Sequence, residues 1–578
     1  MRYDIVIVTY NSQQWLQECV KALAAVHRPL DTLHLIFVDN GSADGTVACL
    51  EELKHTDFGF GGFTVICNTQ KTGYSAACNQ GAAAGSAPLV FFLRADAKVD
   101  PNIFVALDAV IAEASASMAA FACRQLPYET GYPMDPVTLK MRLVSSDALV
   151  VRRSVWEELG GLDERFSSYG ADRDFSWRVH AKGYEMCYVP QAEVARNAVD
   201  PTDTVNSYAE RLYDELMLRY KFGSVKEIWQ GEKQYLTALR HPQHFDGVRR
   251  VLAKNYLRHG VKVWSLLGWR FGHQAESKAL MAQFDQNAFP DRGVCACYKP
   301  TQTPLVSVIV RTCGRPDTLR HTLESLRHQT YRNFEVLVAE DGKPTAKEML
   351  MQEFSDLNIQ YLNDGVRYGR AENGNRALAA AKGELCNFLD DDDFFYPDHL
   401  ELLVSVWSAH PQADIVLGSA MAMFVTKDGK VTKLEPMVFD RIDRFTMCQD
   451  CRIPIQTVLF RRSLFAQYGG MPPQLGAHED WAMWLKYLEH AKRITPHKPD
   501  VCRTTSIFVQ PAEEEAAAAR IAAYSESDAA FYGDESLHFD VTLADMRRYY
   551  DNMIRDMRCL ESRGELHDFL EKQARRFE

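Results

Sequence analysis

Residues 306–312 read VSVIVRT, residues 334–341 read FEVLVAED, and the segment between them includes PDTLRHTLESLR at 316–327. The first and third stretches are short β-branched runs bounded by turn residues. Such runs suit strands buried on both faces of a parallel sheet, expected here over 306–312 and 334–339. In the middle stretch Leu319, Leu323 and Leu326 recur at helical spacing, and Pro316 suits a helix's first turn. Strand, helix, strand, with acidic residues closing the second strand, is α/β wiring with a site at the carboxyl edge of the sheet.

The same wiring stands near the start of the chain. DIVIVTYNSQQWLQECVKAL at 4–23 predicts a strand over 5–9, then a helix with Trp15, Leu16, Cys19, Val20 and Leu23 on one face. LIFVDNGS at 35–42 follows as the next strand end, expected over 33–38. GYSAACNQGAAAGSAPLVFFLRAD at 73–96 parallels GRAENGNRALAAAKGELCNFLDDDD at 369–393. LVVRRSVWEELGG (149–161) and GADRDFSW (170–177) parallel VLFRRSLFAQYGG (458–470) and HEDWAMW (478–484). Asp39/Asp341, Asp96/Asp392, Arg152/Arg461 and Asp172/Asp480 thus recur in one order at spacings of roughly 300 residues, the mark of an internal duplication. The expected divisions are 1–200 and 301–510 for the two copies, 201–300 for a helical linker and 511–578 for a helical C-terminal extension.

The 578 residues suffice for two or more cores, and 46% apolar with 25% charged residues is the composition of a soluble globular protein. A net charge of −12 argues against nucleic acid as a partner. The 14 cysteines show no C-x-x-C spacing, and Cys67, Cys78, Cys386 and Cys502 sit in runs that suit buried free thiols. No secretory signal is visible at the strand-like N-terminus, and no apolar run reaches the ~18 residues that span a bilayer. A cytoplasmic setting follows, with peripheral contact at the inner face of a membrane as an open option. That option rests on residues 248–270, where Arg249, Arg250, Lys254, Arg258, Lys262 and Arg270 alternate with apolar residues. The same pattern fits an inter-domain helix. Met546, Tyr550, Met553, Met557 and Leu560 form a stripe suited to core packing or self-association.

Two clusters carry chemistry. Asp390, Asp391, Asp392 and Asp393 follow the apolar LCNFL run, so four repelling carboxylates are aimed at one strand end. A hard divalent cation, Mg²⁺ or Mn²⁺, offsets that repulsion and completes its shell with phosphate and water oxygens. His478-Glu479-Asp480-Trp481 opens an apolar helical run, where a carboxylate serves either as a helix cap or as a general base.

Taken in order, SVIVRTCGRP, VAEDG, GRAENGNRALAAAKGE, FLDDDD and RRSLFAQYGG…HEDW resemble the motifs of family 2 glycosyltransferases. The first copy resembles the rhamnosyltransferase-like branch of that family. The resemblance covers roughly 3–195 and 304–505. It implies two GT-A domains, Rossmann-like α/β sheets that bind nucleotide-diphospho-sugars, and an inverting transfer from UDP- or dTDP-linked donors. The implied acceptor is a growing surface glycan, free or lipid-linked. By the same resemblance Thr312, Arg315, Glu340, Asp341, Asp390 and Asp391 lie against the nucleotide. Asp390 and Asp392 share the metal, Asp480 is the base, and Glu479 contacts the acceptor or orients the base. In the first copy Thr9, Asp39, Arg94 and Asp96 take the nucleotide positions and Asp172 the base position. That copy departs from the pattern twice: Arg94-Ala95-Asp96 replaces Asp390-Asp391-Asp392, and Ala171-Asp172 replaces Glu479-Asp480. The first copy is therefore either a second transferase or a scaffold that holds the acceptor. Asp174 and Arg178 are expected as a surface i, i+4 pair.

Overall fold

The structure, a computed structural model, describes residues 1–127, 134–197, 204–241, 247–257, 259–273, 299–429, 431–437, 447, 453–475, 477–491, 494–496, 504–512 and 547. The chain divides into two compact units, Met1–Tyr298 and Lys299–Glu578.

The first unit is built on β1 (Tyr3–Thr9), β2 (Leu33–Asp39), β3 (Gly62–Cys67), β4 (Leu89–Arg94), β5 (Ala97–Val99), β6 (Met118–Leu126), β7 (Lys140–Met141), β8 (Ala148–Arg152) and β9 (Glu185–Arg196). Their order is β3-β2-β1-β4-β8-β6-β9-β5, with β7 paired to β9. β1, β2, β3 and β4 run parallel, and β8 enters antiparallel to both β4 and β6. β1 and β2 are apolar runs buried almost throughout, so helices cover both faces of the sheet. The helix Gln13–Ala24 buries Leu16, Cys19, Val20 and Leu23 in the core cluster beside Ile5, Ile7 and Leu35.

The second unit repeats the plan with β10 (Val306–Thr312), β11 (Phe334–Glu340), β12 (Ile359–Leu362), β13 (Leu385–Asp390), β14 (Phe394–Phe395), β15 (Ile415–Leu417), β16 (Ser419–Val425), β17 (Val431–Met437), β18 (Val458–Arg461), β19 (Ile494–Pro496) and β20 (Thr504–Pro511). Its main sheet runs β12-β11-β10-β13-β18-β15-β19, the order of the first unit from β3 to β9 without counterparts to β5 and β7. A second sheet, β14-β20-β16-β17, forms beside it. Where β9 is one continuous strand, the second unit has the separate strands β19 and β20. The helix Pro316–Arg327 carries Pro316 at its start and buries Leu319, Leu323 and Leu326.

The helices Val205–Phe222, Val225–Arg240, Val248–Leu257 and His259–Gly272 pack within the first unit. The anchor is a buried charge cluster. Lys221 Nζ lies 2.7 Å from Asp163 and also bonds Asp174, whose other oxygen takes Arg178 at 2.7 Å. Asp174 and Arg178 are thus the i, i+4 pair expected from sequence, but buried rather than on a surface, because Lys221 packs over them. The basic 248–270 segment breaks into two helices that bury Val248, Leu252, Val263 and Leu266 and leave Leu257 and Trp264 exposed. Among the described residues no helix is long and apolar enough to cross a membrane. Cys78 and Cys386 are buried thiols, whereas Cys67 is exposed because it ends β3, the strand at the sheet's edge. Cys502 and the Met546–Leu560 stripe lie outside the described residues.

Candidate active site

The strand registers align the two units residue by residue. Thr9 faces Asp39 as Thr312 faces Glu340, and Val8 faces Arg94 as Arg311 faces Asp390. This corrects the pairing of Asp39 with Asp341: Asp39 matches Glu340, and the uncharged Asn40 stands at the place of Asp341. The sequence match followed the acid, whereas the backbone ladder sets the register. Both members of each pair keep their local work. Asp39 accepts from Thr9 Oγ1 at 3.0 Å and from the Ser42 amide at 2.9 Å. Glu340 accepts from the Thr345 and Ala346 amides and the Tyr361 hydroxyl, bracing the turn after β11 away from the cavity lining. Asn40 accepts from the Thr72 amide at 2.8 Å, and Asp341 from the Tyr368 and Gly369 amides at 2.6 and 3.2 Å. Gly73 and Gly369, both in the left-handed region (φ 103° and 86°), turn the chain into the helices that follow.

In the second unit Thr312, Arg315, Asp341, Asp390, Asp391, Asp392, Glu479 and Asp480 line one cavity of about 820 Å³ at the carboxyl ends of the strands. Arg367, Arg370 and Asn373 line it too, and Ile453, Pro454, Ile455 and Phe508 give it an apolar wall. The four consecutive aspartates have separate surroundings. Asp390 has both oxygens on Arg311, each at 2.7 Å. Burial pushes its carboxyl up, but the Arg311 guanidinium overrides this and holds it below the usual range. Asp391 accepts from Thr312 Oγ1 at 2.6 Å and bonds Arg315, and its burial raises it to about 6. Asp393, fully enclosed, accepts from the Val509 amide at 2.8 Å and is also raised. Asp392 shares one oxygen with Arg315 at 3.0 Å and is 40% exposed.

Asp480 lies in the first turn of the helix Glu479–His490, entered through His478 at φ 65°, a strained conformation for a non-glycine residue. Burial and the neighbouring Glu479 carboxylate push it up to about 6, while Arg311 and Arg370 pull it down. The two guanidiniums thus favour the carboxylate form, which can accept a proton. Glu479 is buried between Arg311 and Arg370.

The first unit gathers its counterparts differently. Arg94 Nε lies 2.9 Å from Asp96 and its Nη1 3.6 Å from Asp147, and Arg196 reaches both acids. Asp96 is 4% exposed, against 40% for Asp392. Asp172 accepts from the Ser146 amide at 3.1 Å, and burial raises it to about 8, so it is protonated at pH 7.

The cavity residues that escaped the sequence reading include Arg311, Arg367, Arg370 and Asn373. Arg311 had a signal, being the lone charge inside VSVIVRT. Asn373 donates to the Ala339 carbonyl at 2.7 Å, and its buried Oδ1 has no partner among the described residues.

The family model for glycosyl transferase family 2 matches residues 4–135 and 307–469, about half of the chain and part of both units. The chain belongs to glycosyl transferase family 2. Among curated relatives, an uncharacterized glycosyltransferase of Haemophilus influenzae is 28% identical over 196 residues, 34% of this chain and 65% of that protein. The alignment thus spans just under two thirds of that relative. A UDP-Glc:alpha-D-GlcNAc-diphosphoundecaprenol beta-1,3-glucosyltransferase of Escherichia coli is 26% identical over 185 residues, 32% of this chain and 70% of that protein. Among solved structures, S. aureus TarS 1-349 in complex with UDP-GlcNAc aligns at 11% identity and TM-score 0.33, covering 50% of this chain and 92% of that one. Each of the two α/β units carries part of the family 2 match.

Proposed function

We propose that sugar transfer takes place in the second unit, by inversion, with Asp480 as general base. The observation that carries this reading is the convergence of Asp341, Asp392 and Asp480 on one cavity, while the matching Asp96 and Asp172 are buried among their own neighbours. Asp341 and the backbone it orders receive the nucleoside, and the Arg315 and Arg367 guanidiniums at the cavity suit a diphosphate. Asp480 takes the proton of the acceptor hydroxyl as that oxygen attacks the anomeric carbon, and the nucleoside diphosphate departs from the opposite face. One base suffices for inversion.

Among the described residues no three potential metal ligands converge, so a divalent cation would be held from the protein side through Asp392. Its half-exposed carboxylate offers a hard oxygen to an ion that draws its other ligands from diphosphate and water. Asp390, expected from sequence to share the metal, is instead committed through both oxygens to Arg311. Held there, Mg²⁺ or Mn²⁺ would supply positive charge to the leaving diphosphate. The donor is a UDP- or dTDP-sugar, and the acceptor a growing surface glycan, free or lipid-linked, at the cytoplasmic face of a membrane. The first unit, rhamnosyltransferase-like in its motifs, serves as a scaffold or holds the acceptor.

The test is release of nucleoside diphosphate from a panel of UDP- and dTDP-sugars with Mn²⁺. Asp480→Asn should lower turnover about 10²–10⁴-fold. Unchanged turnover in that variant would remove the base from the scheme.

A further inference from the structure

Arg311 is 6% exposed and joins two acids that the transfer scheme treats separately. Its Nε and Nη2 donate to the two oxygens of Asp390, and its Nη1 donates to Glu479 at 3.2 Å. Glu479, with 2% of its side chain exposed, is gripped from the other side by Arg370 Nε at 2.5 Å and Nη2 at 2.8 Å. Asp390, Arg311, Glu479 and Arg370 therefore form one continuous chain of alternating charge. It links β13, β10, the helix Glu479–His490 and the helix Arg370–Ala380.

The first unit shows what the fold does without that chain. Val8 stands at the place of Arg311 and Arg94 at that of Asp390, by strand register. Tyr74 opens its helix after Gly73 as Arg370 does after Gly369. Ala171 holds the place of Glu479 in the matching motif. All four positions differ together. That is the pattern of a network whose members are costly to bury singly, because removing one partner leaves the next as an unpaired buried ion.

We propose that Arg311 and Arg370 are positioning residues for the transfer reaction: they fix the base-bearing helix against the acid-bearing strand and neutralise Glu479, so that the adjoining Asp480 works as a carboxylate. The proposal rests on Asp480 being the base. The charged groups facing Asp480 are Glu479 from its own helix, Arg311 from β10 and Arg370 from the helix Arg370–Ala380, with Asp390 beyond Arg311. Two adjoining carboxylates in a shielded site raise each other's proton affinity, and guanidiniums nearby lower it. Burial raises both carboxyls; Arg311 and Arg370 pull Asp480 back down, whereas Asp172 is pushed up further by Asp147 and drawn down by its serine partners.

The experiment is the pH profile of kcat/KM for Arg311→Met and Arg370→Met in the full chain. The probe is the UDP- or dTDP-sugar that the unsubstituted chain turns over fastest, followed by nucleoside diphosphate release. The acid limb should move alkaline by about one unit in Arg311→Met and by less in Arg370→Met. Activity at pH 7 should fall about tenfold, partly recovering above pH 8, with the donor KM little changed. Arg370 is half exposed, so its variant carries the test if Arg311→Met does not fold. Asp480→Asn is measured alongside. Wild-type turnover in Asp480→Asn would sink the base itself. An inactive Asp480→Asn, with an unmoved acid limb in both arginine variants, would leave the base standing and overturn the positioning role.

Discussion

The two units share a strand order and differ in where their charges point. In the first, acids and bases close on one another: Arg94 and Arg196 on Asp96 and Asp147, Lys221 and Arg178 on Asp174. In the second, the network of Arg311 leaves Asp392 and Asp480 on a cavity wall. A shared sheet edge is therefore not by itself a shared activity, because function follows the side chains placed there.

The largest expected effect tests the structural use of charge in the first unit. Lys221→Met removes the buried cation between Asp163 and Asp174 and should cost about 3–5 kcal/mol, read as an earlier denaturant transition. A transition left in place would mean that those charges do not hold the helices. Next, Asp392→Ala should lower kcat/KM about 10²–10³-fold without moving the melting temperature, while Asp96→Ala leaves transfer unchanged. Equal losses would restore symmetry between the units. The third effect is smaller. Below the value of about 6 held by Asp480, kcat/KM should fall about tenfold per pH unit as the base takes up a proton, with a plateau above. A flat profile from pH 4 to 8 contradicts a carboxylate base.

The smallest effect concerns stability. Asp172 is raised to about 8 by burial, so the folded state binds its proton more tightly than the unfolded state does. That contribution is complete below the unfolded value of about 4 and is lost as pH rises towards 8. The melting temperature should therefore slope down between pH 6 and 8, and Asp172→Asn should flatten the slope.

Much of the fold was legible because parallel strands announce themselves as apolar runs with polar ends. The strand expected over 306–312 forms with those bounds, and the one expected over 33–38 extends by Asp39. The acid positions were legible for the same reason, since strand ends are where a sheet presents chemistry. Partners from distant segments were not legible. Nothing in VSVIVRT says that Arg311 will meet Glu479, 168 positions away, and an i, i+4 pattern cannot reveal that Lys221 will bury Asp174. The pairing of Asp39 with Asp341 slipped by one residue because identical letters outweighed a ladder that only the backbone shows.

One comparison tests the central claim most directly: nucleoside diphosphate release by Asp480→Asn and by the double variant Asp96→Ala/Asp172→Asn, each in the full chain with Mn²⁺ and the preferred donor. Transfer confined to the second unit predicts a loss of about 10²–10⁴-fold in the first variant and the unsubstituted rate and product in the second. Full turnover by Asp480→Asn, or a changed product from the double variant, would contradict it.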